Sequence, residues 1–232
     1  GAASADGHMT FWLRTDTQGR DMLSAILFGL RISLVVGIGS PVVAAVIGSV
    51  LGLIAAYKRG MVDSFLMRLV DLQLSCPTIL VALMILAFLG KGVGNVMLAL
   101  IIVGWSQFAR TARSVAMVER GRAYMEAAEC LVLPRWRLVF CHLLPNCLAP
   151  LRVIFTIRVA GAITLEATLS FLGLGVPITE PSLGLLIANG YQSMLSGDYW
   201  ISFYPGLALL VSVVAINLVS DRLRDVLNPR AS

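Results

Sequence analysis

Apolar residues along this chain gather in long uninterrupted runs instead of alternating with charges every few positions, and the runs have the length of membrane-crossing helices. Residues 32–57, 72–90, 92–109 and 200–220 contain no Asp, Glu, Lys or Arg over 26, 19, 18 and 21 positions. About 20 mostly apolar residues carry a helix across roughly 30 Å of hydrocarbon. A fifth run, 148–176, is apolar in bulk but carries Arg152, Arg158 and Glu166. The pattern predicts an all-α membrane protein with five spans. Ahead of them, Leu23, Ile26, Leu27 and Leu30 share one helical face within residues 20–30, which predicts a separate interfacial helix on the outer leaflet, started by Thr15 or Asp16 as cap.

The connections set the orientation. Under an alternating topology one side holds twelve basic residues, in the first loop, in residues 110–146 and in the tail, while the other holds Arg14, Arg20, Arg31 and Lys91. Lys and Arg are retained on the cytoplasmic face, so the N-terminus is expected outside and the C-terminus inside. The chain then divides into an extracytoplasmic segment 1–31, a membrane domain 32–220 with an outer loop at 177–199, and a cytoplasmic tail 221–232. The outer loop, with its glycines, Pro181, Asn189, Tyr191 and Tyr199, is too long for a turn and is expected to fold back on the bundle.

Composition sharpens this picture. Of 232 residues, 58% are apolar and 13% charged, well below the charge content usual for a soluble domain. The net charge of +5 records orientation in a membrane protein, and no nucleic-acid partner is expected. Cys76, Cys130, Cys141 and Cys147 have neither metal-ligand spacing nor a disulfide framework, and His8 and His142 fall on opposite sides of the membrane. Gly90-Lys91-Gly92 fails the spacing and hydroxyl requirement of a phosphate-binding loop, so the chain is expected to hold no nucleotide and to be no enzyme. Ala44, Gly48, Gly52 and Ala56 recur every fourth residue, a seam of small side chains along which another helix can approach closely.

Residues 110–146 carry more pattern than a connector needs. They read as two short amphipathic helices. In the first, Ala123, Ala127, Cys130 and Leu131 form one face; in the second, Trp136, Val139, Phe140, Leu143 and Leu144 do, with Pro134 in the opening turn. Such a pair either lies flat on the cytoplasmic leaflet or offers itself to a soluble partner.

The run Glu126-Ala127-Ala128, then Leu133-Pro134, then His142-Leu143-Leu144-Pro145-Asn146 resembles the coupling loop of permease subunits in ATP-binding-cassette (ABC) importers. Two further stretches narrow the likeness to the second permease of the dipeptide, oligopeptide and nickel group. They are Thr15-Asp16-x-x-Gly19-Arg20-Asp21 and Glu166-Ala167-Thr168-Leu169-Ser170-Phe171-Leu172-Gly173-Leu174-Gly175 with Pro181-Ser182-Leu183-Gly184. The resemblance implies the type I importer permease fold in a bacterial inner membrane, one half of a heterodimeric pathway. It implies a homologous permease, two cytoplasmic ATPase subunits that bind ATP and magnesium, and an extracytoplasmic binding protein as partners, with membrane lipid around them. The implied cargo is a di- or oligopeptide, or else a nickel chelate or glutathione.

Carried over residue by residue, Glu126, Ala127 and Ala128 form the face that docks on the ATPase, with Val132, Leu133, Pro145 and Asn146 shaping the loop. The chain departs from the pattern at Val132, where a glycine is expected, at Cys141, where an arginine is common, and at Arg14, where a glycine is usual. Members usually begin with one further span, which the five counted here lack. Within the spans, Glu166, Arg158 and Gln107 are the candidates for the pathway or its gate, the first two because a charge in hydrocarbon costs several kcal/mol. Glu166 equally suits a hydrogen bond that holds a helix break. Two rivals remain open at this point: a secondary transporter using Glu166 and Arg158 as a charge relay, and a non-transporting remnant.

Overall fold

The computed structural model describes residues 2–3, 10–11, 13, 15, 19–131, 134–177, 179–194 and 197–227. Val132, Leu133, His8, Arg14 and Asp16 lie outside the described residues. A two-residue antiparallel pair, β1 (Ala2–Ala3) with β2 (Thr10–Phe11), precedes a helical body. The helices are α1 (Met22–Lys58), α2 (Gly60–Ser75), α3 (Thr78–Leu89), α4 (Val93–Glu119), α5 (Ala123–Cys130) and α6 (Arg135–Arg137). A π-helical turn, Leu138–Leu143, leads without interruption into α7 (Leu144–Phe171), followed by α8 (Leu183–Ser193) and α9 (Trp200–Leu227). Among the described residues four helices are long and apolar enough to cross a membrane, and up to five when α2 and α3 count as one bent span.

The separate interfacial helix expected over 20–30 does not form. Residues 22–58 make a single helix, because nothing between Met22 and Ile32 breaks the backbone ladder and one charge, Arg31, leaves a helix intact. Its cap is Asp21, not Thr15 or Asp16: the Asp21 carboxylate accepts from the Ser24 amide at 3.0 Å and from its hydroxyl at 2.7 Å. Those hydrogen bonds hold the Asp21 carboxyl below its ordinary pKa. At 1.5 Å per residue α1 is about 55 Å long, more than a bilayer core needs. Its outer end instead packs on protein, with Met22 and Ile26 buried against Leu183, Leu186 and Ile201.

The uncharged run 72–90 is likewise not one helix. Cys76 is extended at φ −91° and ψ 138°, as a residue before proline prefers, and Pro77 lacks the N–H that would continue the ladder. The chain bends there by 92°. Thus α2 meets α4 from Arg113 back to Ile102, and α3 packs Ala82 and Leu86 on its first half. Two ion pairs fasten α2: Arg113 grips Asp63 through both carboxylate oxygens at 2.5 and 2.6 Å, and Arg110 pairs with Asp71. The first third of the expected cytoplasmic loop also proves to be helix, since α4 continues to Glu119.

The small-residue seam meets α4. A Cβ on Gly48 would stand 2.3 Å from the Trp105 carbonyl oxygen, and one on Gly52 2.3 Å from that of Ala109. The backbones therefore touch, and Ala44, Leu53, Ala56, Phe108, Ala112 and Ala116 close the core around that contact. On the outer side the 177–199 connection folds back as α8. Gly184 rests on the Ala167 backbone and Gly190 on that of Ser202, so α8 is clamped between α7 and α9.

Substituting Gly48→Val or Gly52→Val is expected to lower stability by about 1–3 kcal/mol through forced separation of α1 and α4. Gly94→Ala, on the facing helix α4 and with open space around it, is expected to stay within about 0.5 kcal/mol of the parent. Thermal unfolding of the detergent-solubilised chain measures both.

Candidate functional site

The cytoplasmic surface is built outward from the α1 and α4 seam. Arg120, just past α4, donates to the carbonyls of Tyr57 at 2.8 Å and Ala56 at 3.3 Å and lies 5.2 Å over the Tyr57 ring. It thereby satisfies two orphan acceptors at the C-terminus of α1, where the helix dipole favours a cation. Glu119 then receives the Tyr124 hydroxyl at 2.9 Å and Arg122 at 3.0 Å, tying α5 to the end of α4. Burial, with the hydrogen bond to Glu119, pushes the Tyr124 phenol up to about 12, so it remains a proton donor.

The face of α5 that packs inward is not the one periodicity selects. Met125 and Ala128 are buried with Leu138, whereas Ala123, Ala127, Cys130 and Leu131 point to solvent. An eight-residue helix rich in alanine offers too weak a contrast for spacing to choose its face, and one large Met125 side chain decides it. As a consequence Glu126 and Ala127 are exposed, while Ala128, expected on the docking face, is 4% exposed and holds the helix down. Leu131, one turn past Ala127, is 73% exposed, and Trp136 at the start of the next segment is 64% exposed.

The second amphipathic helix is not a separate element either. From Arg135 the chain winds directly into α7, because Pro145 falls in the first turn of α7, where its missing N–H interrupts little. Val139 and Leu143 are buried and Phe140 is exposed. Asn146 donates to the His142 carbonyl at 2.7 Å, and the His142 ring lies 3.2 Å from the Arg137 carbonyl. Pro145 and Asn146 are thus brought to the base of α7, one turn beyond the π-helical segment.

Inside the bundle the three polar candidates separate. Glu166 is fully buried, and each carboxylate oxygen is occupied: Ser33 of α1 donates to one at 2.8 Å and Ser170 to the other at 2.8 Å. Ser170 Oγ in turn accepts from the Val176 amide at 3.4 Å. A Cβ on Gly175 would meet that hydroxyl at 2.1 Å. The Glu166 to Gly175 stretch is therefore a buried latch that turns the chain at the end of α7 and pins it to α1. Sequence reasoning missed Ser33, which is 133 positions away and announces nothing by itself.

Arg158, midway along α7, lines a cavity of about 410 Å³ with Ser40 and Ala44 of α1, Thr78 of α3, Phe108 of α4 and Thr168 of α7. Glu166 lies eight residues further along α7, about 12 Å of helix rise, so the two charges form no relay. Gln107 is half-buried on α4 and contributes no lining to this cavity.

Residues 48–232 match the family described as Binding-protein-dependent transport system inner membrane component. The chain belongs to that family. Among curated relatives it is 39% identical to the Di/tripeptide transport system permease protein DppC of Pseudomonas aeruginosa (strain UCBPP-PA14), over 97% of this chain and 74% of that protein. It is 37% identical to the Glutathione transport system permease protein GsiD of Pectobacterium atrosepticum, over 94% and 72% respectively. The Probable D,D-dipeptide transport system permease protein DdpC of Escherichia coli (strain K12) is 37% identical over 95% and 74%. The fold is similar to a chain of the MetNI methionine ABC transporter in an inward-facing conformation, at a TM-score of 0.72 and 20% identity, covering 89% of this chain and 97% of that one. The chain is accordingly an inner-membrane permease subunit of an ABC importer, and the secondary-transporter alternative falls. Such a permease works in general with a partner permease, an ATPase and a binding protein.

If Glu166 is a latch, Glu166→Ala should destabilise the permease by about 1–3 kcal/mol, because Ser33 and Ser170 lose a buried acceptor. Glu166→Gln, which keeps one accepting oxygen, should cost less. Thermal unfolding and limited proteolysis across 172–182 report both changes; a fully stable Glu166→Ala permease would remove the latch.

Proposed function

We propose that this permease forms half of a pathway for di- or oligopeptides and couples it to ATP hydrolysis through the exposed Glu126 and Ala127 face of α5. The observation that carries the reading is the uncovered surface made by Glu126, Ala127 and Leu131, fastened from behind by Met125, Ala128 and the Glu119 and Tyr124 hydrogen bond. A carboxylate amid small and apolar side chains suits a basic-rimmed cleft on a soluble ATPase, where a partly desolvated ion pair gives orientation and specificity. Val132, Leu133, Pro145 and Asn146 shape the two ends of this loop. Two ATPase subunits, binding ATP with magnesium, close and move the loops of this chain and of a homologous permease, and an extracytoplasmic binding protein delivers cargo at the outer side near α8. The names of the relatives support a peptide as cargo, with glutathione, itself a small peptide, within the same class. The permease contributes no chemistry of its own to hydrolysis.

Reconstitution with the partner permease, the ATPases and a peptide-loaded binding protein tests the reading. Glu126→Lys is expected to reduce binding-protein-stimulated ATP hydrolysis at least about tenfold, the scale of a charge-assisted contact replaced by repulsion, and to leave the isolated ATPase unchanged. Ala127→Cys is expected to crosslink to an ATPase cysteine placed in its cleft. Full stimulation with Glu126→Lys rejects the docking face, and normal peptide uptake in cells lacking this chain would favour a non-transporting remnant.

A further inference from the structure

Glu166, buried, is satisfied by two hydroxyls and half-buried Arg113 by Asp63, but half-buried Arg158 is not so met. Its Nε is buried without a hydrogen-bond partner, and its guanidinium makes no ion pair among the described residues. No carboxylate lines the cavity it enters. Three of the four hydroxyls that line it are already engaged as donors: Ser40 donates to the Val36 carbonyl at 2.6 Å, Thr164 to Ala160 at 3.0 Å and Thr168 to Thr164 at 2.8 Å, with Thr78 the fourth. An uncommitted guanidinium thus stands midway along a spanning helix, facing a space of about 410 Å³ bounded by α1, α3, α4 and α7. Exposed Arg152 on the same helix lies nearer the cytoplasmic end and can reach the interface; Arg158 sits too deep for that.

From this geometry we infer that Arg158 is a binding residue for the C-terminal carboxylate of the peptide in transit, held in the α1, α3, α4 and α7 cavity. The assignment rests on the peptide reading above. A guanidinium is always charged and presents parallel N–H donors in a fork that matches a carboxylate, so an anionic chain end is the partner that its chemistry selects. The volume falls within the range of about 300–1,000 Å³ seen for small-ligand sites. The hydroxyl oxygens of Ser40, Thr164 and Thr168, whose protons are engaged, remain acceptors on the wall, and a peptide supplies donors to meet them. Binding here is expected to be weak, because a carrier must release its cargo, yet selective for charge.

The experiment uses the complete importer in lipid nanodiscs with the binding protein omitted, and equilibrium dialysis of a radiolabelled dipeptide against its C-terminal amide. The free acid is expected to bind at least about tenfold more tightly than the amide, the scale of one charge-assisted hydrogen-bonded contact. Arg158→Gln should bring the two to parity. So should Ala162→Asp, which keeps Arg158 but places a carboxylate one helical turn away to occupy it. Equal binding of acid and amide to the unaltered importer, or no binding of the acid, overturns the assignment without reliance on any variant. Dipeptide uptake with the binding protein restored is measured on the same preparation. Uptake without an acid preference sinks the Arg158 site alone, whereas absence of uptake sinks the peptide reading on which it stands.

Discussion

Hydrocarbon gives two apolar helices no reason to prefer each other over lipid, so a membrane bundle must be held by close backbone approach and by polar contacts that lipid cannot offer. In this permease that requirement is met first between α1 and α4. Gly48 and Gly52 let the two backbones touch at the carbonyls of Trp105 and Ala109. The rest of the cytoplasmic half is registered to that contact. Arg113 and Arg110, on the next turns of α4, reach across to α2, and Arg120 covers the exposed end of α1. Of these, the Arg120 contact with Ala56 and Tyr57 bridges the seam itself.

The same registration gives the coupling surface its place. Helix α5 hangs from the end of α4 through Tyr124 and Glu119, and it rests on Leu138 of the segment that becomes α7. That segment passes through a π-helical turn and then continues unbroken to Glu166 and Ser170, where Ser33 returns the connection to α1. A displacement of α5 therefore has a continuous packed path through α7 to the outer latch. The wider helical turn at Leu138–Leu143 is where that path departs from regular α-helix, and π-turns often accompany functional positions.

Much of this was readable beforehand, for reasons that also explain the failures. Long uncharged runs and the four-residue spacing of Ala44, Gly48, Gly52 and Ala56 are global signals, and both located real features. Local breaks escaped. An average over residues 72–90 cannot see that Pro77 turns the chain through a right angle, and a change in polarity near Arg31 was mistaken for a helix end where the backbone simply continues. The orientation of α5 escaped because its contrast lies in one Met125 side chain and not in a period. Long-range polar pairing escaped altogether, since nothing at Ser33 or Asp63 identifies Glu166 or Arg113 as its partner.

A buried charge in a membrane protein is usually taken as a mark of function, and the contrast between Glu166 and Arg158 shows how that rule divides. The motif containing Glu166 is a self-contained solution to a geometric problem. Its carboxylate is saturated, Ser170 passes the bond on to the Val176 amide, Gly175 makes room, and Gly184 lets α8 lie against Ala167. Nothing there is left over for a ligand. Asp21 and Ser182 perform the simpler version of the same task by capping α1 and α8. Arg158, half-buried, has none of this provision among the described residues. A cation without a counter-charge among the described residues keeps a demand for a partner that Glu166 no longer has, and that residual demand, not burial as such, separates scaffold from candidate site.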